Sequence, residues 1–190
     1  MMQPIQDQIQ ESIRVKQLLL DQTKPIELMA NVITQSIQNG GKLMICGNGG
    51  SAGDSQHLST ELTIRLSSVF ERPAIAALAL TTNTSTITAC ANDYGYDFIF
   101  SRQVEALGKP EDVLLGLSTS GNSKNVILAL EAAQTRGITT LGLTGKSGGK
   151  MKDVCDVIIC VDSENPNRIQ ESHILIGHIL CDLVQYGLYG

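Results

Sequence analysis

His57 and Glu61 stand four residues apart in "SAGDSQHLSTEL" (51–62). On a helix that spacing puts an imidazole and a carboxylate on one face, about 6 Å apart along the axis. Both groups are common zinc ligands. A surface contact between successive turns is the alternative, and pairs of this kind arise often. A second cluster, "RIQESHILIGHIL" (168–180), adds Gln170, Glu171, His173 and His178, so all three histidines of the chain lie in these two stretches. Gln170 and His178 are eight positions apart, about 12 Å of helical rise. To approach one ion they must lean together, start from an irregular turn, or draw on another copy of the chain.

A different chemistry is suggested by "STSGNSKN" (118–125), which follows the apolar "DVLLGL". Ser118, Thr119, Ser120 and Ser123 offer hydroxyls, and Gly121 permits a sharp turn. A helix starting near Asn122 or Ser123 aims unpaired N–H groups and the positive end of its dipole back at this loop, which together suit an anion such as phosphate. The plainer alternative is a capped helix, since Ser and Asn are ordinary N-caps. "GNGGS" (47–51) is a comparable turn. It lacks the GK[ST] ending of a nucleotide-binding P-loop and is not a full GxGxxG fingerprint. Its glycines, including Gly49 and Gly50, would let a ligand approach the main chain closely. Two such loops on one sheet edge point to a phosphorylated small molecule.

The elements that must position these groups follow from periodicity. "KLMIC" (42–46), "AIAALAL" (74–80), "DVLLGLS" (112–118), "TTLGLTG" (139–145) and "DVIICV" (156–161) are short runs, apolar on both faces. Such runs suit parallel strands covered on both sides. Helical stretches at 51–68, 93–107, 122–136 and 168–186 alternate with them, which predicts an α/β three-layer sandwich with a five-stranded parallel sheet and right-handed crossovers. Ligands then sit beyond the carboxyl ends of the strands, where both unusual loops fall. Ahead of the sheet, apolar positions at Ile5, Ile9, Ile13, Leu18 and Leu19 predict a helix over 3–22, and a second spans 25–39. We expect 1–40 to be a helical hairpin for oligomer packing and 41–190 to carry the sheet, the whole forming one structural domain.

The chain has 190 residues, 42% hydrophobic and 17% charged, with a net charge of −5 and no Trp. An aliphatic core and a soluble globular domain follow. The negative balance argues against a nucleic-acid partner. No apolar run nears the ~18 residues of a membrane span, and the polar start lacks an export segment. Five cysteines, an odd count with no CxxC pair, read as reduced thiols. A cytoplasmic location is expected.

These motifs combine into a resemblance. "CGNGGSAGDSQHLSTEL", "ANDYGY", "FSRQVEALG", "DVLLGLSTSGNSKNV", "LTGKSGGKM" and "RIQESHILIGHIL" resemble the phosphoheptose isomerases of the sugar-isomerase (SIS) domain superfamily, over about residues 40–185. The resemblance implies the SIS fold with flavodoxin-like strand order, and a homotetramer with a helical core and sites near subunit interfaces. It implies isomerisation of sedoheptulose 7-phosphate to D-glycero-D-manno-heptose 7-phosphate through an enediol, feeding ADP-heptose for lipopolysaccharide or capsule. Ser118, Thr119, Ser120 and Ser123 match the loop that holds the sugar phosphate. Asn48, Gly49, Gly50, Asn92, Asp93, Glu61 and Gln170 match substrate contacts. His57, Glu61, Gln170 and His178 match a zinc site, one ion per subunit. Glu61 and His178 match the acid–base pair, with Glu61 assigned as base and His178 as acid. Asn167 stands where some relatives carry Asp. Two other classes share the domain. One is a non-catalytic scaffold binding the replication initiator protein, whose members lack the equivalents of Glu61 and His178. The other is a sugar-phosphate-sensing transcription regulator, which needs a DNA-binding domain not seen here.

Overall fold

The computed structural model describes residues 4–190. Residue 3, the expected start of the first helix, lies outside them, as do the first three residues of the 1–40 segment. Five parallel strands form one sheet in the order β2-β1-β3-β4-β5. They are β1 (Leu43–Gly47), β2 (Ala77–Ala79), β3 (Val113–Ser118), β4 (Thr139–Gly145) and β5 (Val157–Val161). This is the flavodoxin-like order expected from the resemblance.

Alternation along the strands splits the interior into two cores. Leu43, Ile45, Val113, Leu115, Leu117, Leu141 and Leu143 face one side. There they pack on residues of α2 (Thr23–Gln38), α3 (Gly50–Thr63) and α7 (Pro166–Tyr189). Met44, Cys46 and Leu114 face the other side, against α5 (Ser101–Leu107) and α6 (Lys124–Thr135). Gly116 faces that second side, where a Cβ would come within 2.9 Å of Val126 Cγ1. The missing side chain lets α6 settle on the middle of the sheet.

The structure departs from the sequence expectation at four elements. The strand expected over 74–80 is regular only at Ala77–Ala79, on the sheet edge, where β1 is its sole partner among the described residues. Residues 84–93 form a helix, α4, opened by Asn83, whose Oδ1 accepts from Thr86 N at 3.0 Å. The helix expected over 93–107 is instead a 3-10 turn at Tyr96–Phe98 followed by α5. The helix expected over 51–68 ends at Thr63.

At the N-terminus, α1 (Ile5–Leu18) joins α2 through a 3-10 turn, Leu19–Gln22, without an intervening loop. Both helices pack chiefly on α7 rather than on each other as a hairpin. The Arg and Glu of "RIQE" make this attachment. The buried Arg168 guanidinium donates to the Gln8 carbonyl and to Glu171 Oε1, and Glu171 Oε2 accepts from Ser12 Oγ at 2.8 Å. No helix among the described residues is long and apolar enough to cross a membrane.

Candidate active site

Both unusual loops leave the carboxyl ends of neighbouring strands, β1 and β3, which pair in register from Leu43↔Val113 to Gly47↔Leu117. In the hydroxyl loop, Ser118 Oγ lies 3.0 Å from Ser123 Oγ and 3.4 Å from Ser120 Oγ. Ser120 Oγ also accepts from Asn122 N at 3.1 Å. Three of the four expected phosphate ligands therefore converge, while Thr119 lies half-buried beside them. α6 begins at Lys124, and a helix's first turn leaves its amides without intrahelical partners. Gly121 sits at φ +65°, and a Cβ there would fall 2.1 Å from the Gly148 carbonyl oxygen. The "KSGGK" segment thus braces the loop from below, and Met151 N donates to Gly121 O at 3.1 Å. Lys124 turns to Asp97, 2.6 Å away, rather than into the loop.

Asn48 ties the two loops together. Its Oδ1 accepts from Asn125 Nδ2 at 2.8 Å and from the Tyr96 hydroxyl at 3.0 Å, and its Nδ2 donates to Asn125 Oδ1 at 2.9 Å. Sequence reasoning missed Asn125 and Tyr96. With both ends of the Asn48 amide engaged, this residue meets a ligand mainly through its main chain and its second N–H. Gly49, at φ +56°, and Gly50 carry the chain into α3. Asn92 and Asp93 close α4 at the surface, where Asn92 Nδ2 donates to Asp93 Oδ1 at 2.7 Å. Among the described residues neither hydrogen-bonds to the strand-end loops.

α3 and α7 lie side by side and run in the same direction. They approach closely because Gly177 has no side chain: a Cβ there would fall 2.5 Å from Leu58 Cδ1. This packing brings the candidate donors together. His57 Nε2 is 2.7 Å from His178 Nε2 and 3.3 Å from Glu61 Oε1. One ligand atom from each of the three lies within 4.8 Å of the others. Two imidazoles and a carboxylate facing a common point form a donor set that suits a divalent ion. Gln170 meets a different turn of α3. Its Nε2 donates to Asp54 Oδ1 at 2.7 Å and Oδ2 at 2.9 Å. α3 thus meets α7 at both places, with Asp54 answering Gln170 and His57 facing His178. Asp54 escaped sequence reasoning, although it sits three residues before His57 and seven before Glu61, on the same helical face. Burial raises the Asp54 carboxyl above its ordinary pKa, and the Gln170 hydrogen bond and the two nearby histidines act in the opposite direction.

His173, by contrast, is structural. It is fully buried, with Nε2 3.2 Å from the Thr144 carbonyl oxygen, and burial pulls its pKa down to about 4. Asn167 is exposed in the first turn of α7, where its N–H is capped by Asn165 Oδ1.

The SIS domain family model matches residues 7–145. A phosphoheptose isomerase of Akkermansia muciniphila is 53% identical over 165 residues, spanning 87% of this chain and 86% of that one. One from Rhodospirillum rubrum is 57% identical over 159 residues, 84% of each. The solved phosphoheptose isomerase GmhA from Neisseria gonorrhoeae superposes with a TM-score of 0.89 at 44% identity, covering 96% of this chain and 97% of that one. At that identity over most of its length, the chain belongs to the phosphoheptose isomerase family of SIS-domain proteins.

Proposed function

We propose that the chain isomerises sedoheptulose 7-phosphate to D-glycero-D-manno-heptose 7-phosphate. The observation that carries this reading is the convergence of Glu61 and His178 across the α3–α7 seam, on the sheet edge that also bears the hydroxyl loop. Ser118, Thr119, Ser120, Ser123 and the first amides of α6 hold the phosphate, so binding energy at the far end of the sugar orients the reacting carbons. The Glu61 carboxylate takes the proton from C1 of the ketose, and His178 gives a proton to O2, forming the 1,2-enediol. The proton held by Glu61 then returns to C2 as O1 gives its proton back to His178, which leaves the aldehyde and restores both groups. Gly49, Gly50, Asn92, Asp93, Gln170 and the Asn48 main chain contact the sugar. A scaffold without turnover has no need of this acid–base pair, which weighs against the replication-protein alternative.

His57, Glu61 and His178, with Gln170 as a fourth ligand through Oε1, would hold one Zn²⁺ per subunit. Two imidazoles and a carboxylate fit that ion, and a bound zinc would supply polarisation of the sugar carbonyl and stabilisation of enediolate charge. A homotetramer fits the exposed apolar stripe of Ile5, Ile9 and Ile13 on α1, at 77%, 55% and 52% exposure, which a lone subunit leaves in water. This assigns residues 1–40 to oligomer packing and 41–190 to the catalytic unit, in a cytoplasmic enzyme supplying heptose for lipopolysaccharide or capsule. The test is incubation of the zinc-replete protein with sedoheptulose 7-phosphate, with detection of the aldose by NMR. Absence of the aldose, with the ketose recovered intact, overturns the reading.

A further inference from the structure

We propose that Asp54 is a positioning residue that fixes which end of the Gln170 amide faces the site. The proposal rests on Gln170 belonging to the site. An ionised carboxylate only accepts hydrogen bonds, so the Gln170 atom 2.7 and 2.9 Å from its two oxygens is the NH₂ group. The carbonyl Oε1 is then the end left to act as ligand or acceptor. Among the described residues it accepts no other hydrogen bond. The stem of Gln170 runs past Gly50, where its Cγ lies 3.5 Å from the place a Cβ would occupy. Gly50 and Asp54 are one helical turn apart, so the first of these turns leaves room for the stem and the second holds the head.

Stability alone gives little reason for this arrangement. Asp54 is only 6% exposed, and among the described residues no Lys or Arg pairs with it. A carboxylate withdrawn from water and answered by a neutral amide costs folding free energy. What it provides is orientation. A carboxylate behind the amide nitrogen also polarises the amide and makes Oε1 a better donor of electron density, as outer partners do for metal ligands.

The test is a cycle of Asp54→Asn, Gln170→Ala and the double variant. Each is read by zinc affinity in competition with a chelating dye, by kcat and KM for sedoheptulose 7-phosphate, and by Tm. Asn at 54 keeps the shape but no longer dictates the amide orientation. We expect Asp54→Asn to fold with an undiminished Tm and to weaken zinc binding or kcat by about 10–100-fold. In the Gln170→Ala background the same change should add nothing further. Gln170→Glu sets two carboxylates against each other and should lose function, and adding Asp54→Asn should restore part of it. Unchanged affinity and kcat in Asp54→Asn, or effects fully additive with Gln170→Ala, overturn the proposal. Zinc competition needs no substrate. A wild-type chain that binds zinc but leaves the ketose intact sinks the proposed activity and leaves the Asp54 cycle readable.

Discussion

The hydroxyls of the β3 loop differ in what they are free to do. Ser118 is buried and Ser123 lies against it, whereas Ser120 is exposed at the mouth of the loop, its Oγ accepting from Asn122 N. Replacing Ser120 by Ala should remove one hydrogen bond to a charged group, about 1.5–3 kcal/mol. That is roughly a tenfold to hundredfold rise in Kd for the phosphorylated sugar. Calorimetric titration giving an unchanged Kd would count against the cradle. Across the site, Glu61→Gln and His178→Gln each remove one proton-transfer group while keeping size and polarity. Both should abolish isomerisation with the circular dichroism spectrum intact, and normal turnover in either would remove that residue from the acid–base pair. The sequence exposed these residues because hydroxyl crowding and i,i+4 spacing are local signals. Asp54 and Asn125 were illegible for the opposite reason. Their partners, Gln170 and Asn48, are 116 and 77 positions away, and a lone Asp or Asn carries no mark of a distant amide.

The seam between α3 and α7 decides whether those groups meet at all. Gly177 faces Leu58, which is 2% exposed, and an added Cβ would fall within 3.0 Å of three of its side-chain atoms. Gly177→Ala gains about 1 kcal/mol of helix propensity but forces Leu58 or the whole of α7 to move, at roughly 1–3 kcal/mol. We expect zinc affinity and kcat to fall together as His178 is displaced from His57. Leu58→Ala in the same chain should return part of both by opening room. Simple additivity of the two changes would show that the seam tolerates the methyl. Five strands and their loops were legible because buried parallel strands read as unbroken apolar runs bounded by glycine or polar turns. α4 was not. Its "TSTITACAND" carries three threonines and little apolar periodicity, so the helix is signalled chiefly by its Asn83 cap. The edge strand was overestimated because burial on one side alone cannot hold an Ala-rich run regular over seven residues.

The assembled chain stores an acid sensitivity in His173, where α7 crosses the end of β4. A carbonyl only accepts, so Nε2 carries the proton donated to Thr144 O, and Nδ1 is bare and without a partner among the described residues. Charging the ring would put a second N–H into the core with nothing to accept it. Burial accordingly lowers its pKa from 6.5 to about 4, with the Thr144 bond acting weakly in the other direction. Between those values the unfolded chain binds a proton that the folded chain refuses. Stability from this site is therefore complete above pH 6.5 and declines as pH falls towards 4, by at most about 3 kcal/mol. His173→Gln keeps an amide donor for Thr144 but cannot titrate. Urea unfolding of both proteins at pH 7, 5.5 and 4.5 cancels the carboxylates they share. The variant should be less stable at pH 7, because the ring's packing is lost, and the gap should narrow steadily as the wild type alone loses stability with acid. A gap that stays constant across that range would mean that His173 accepts its second proton in the folded state as readily as in water.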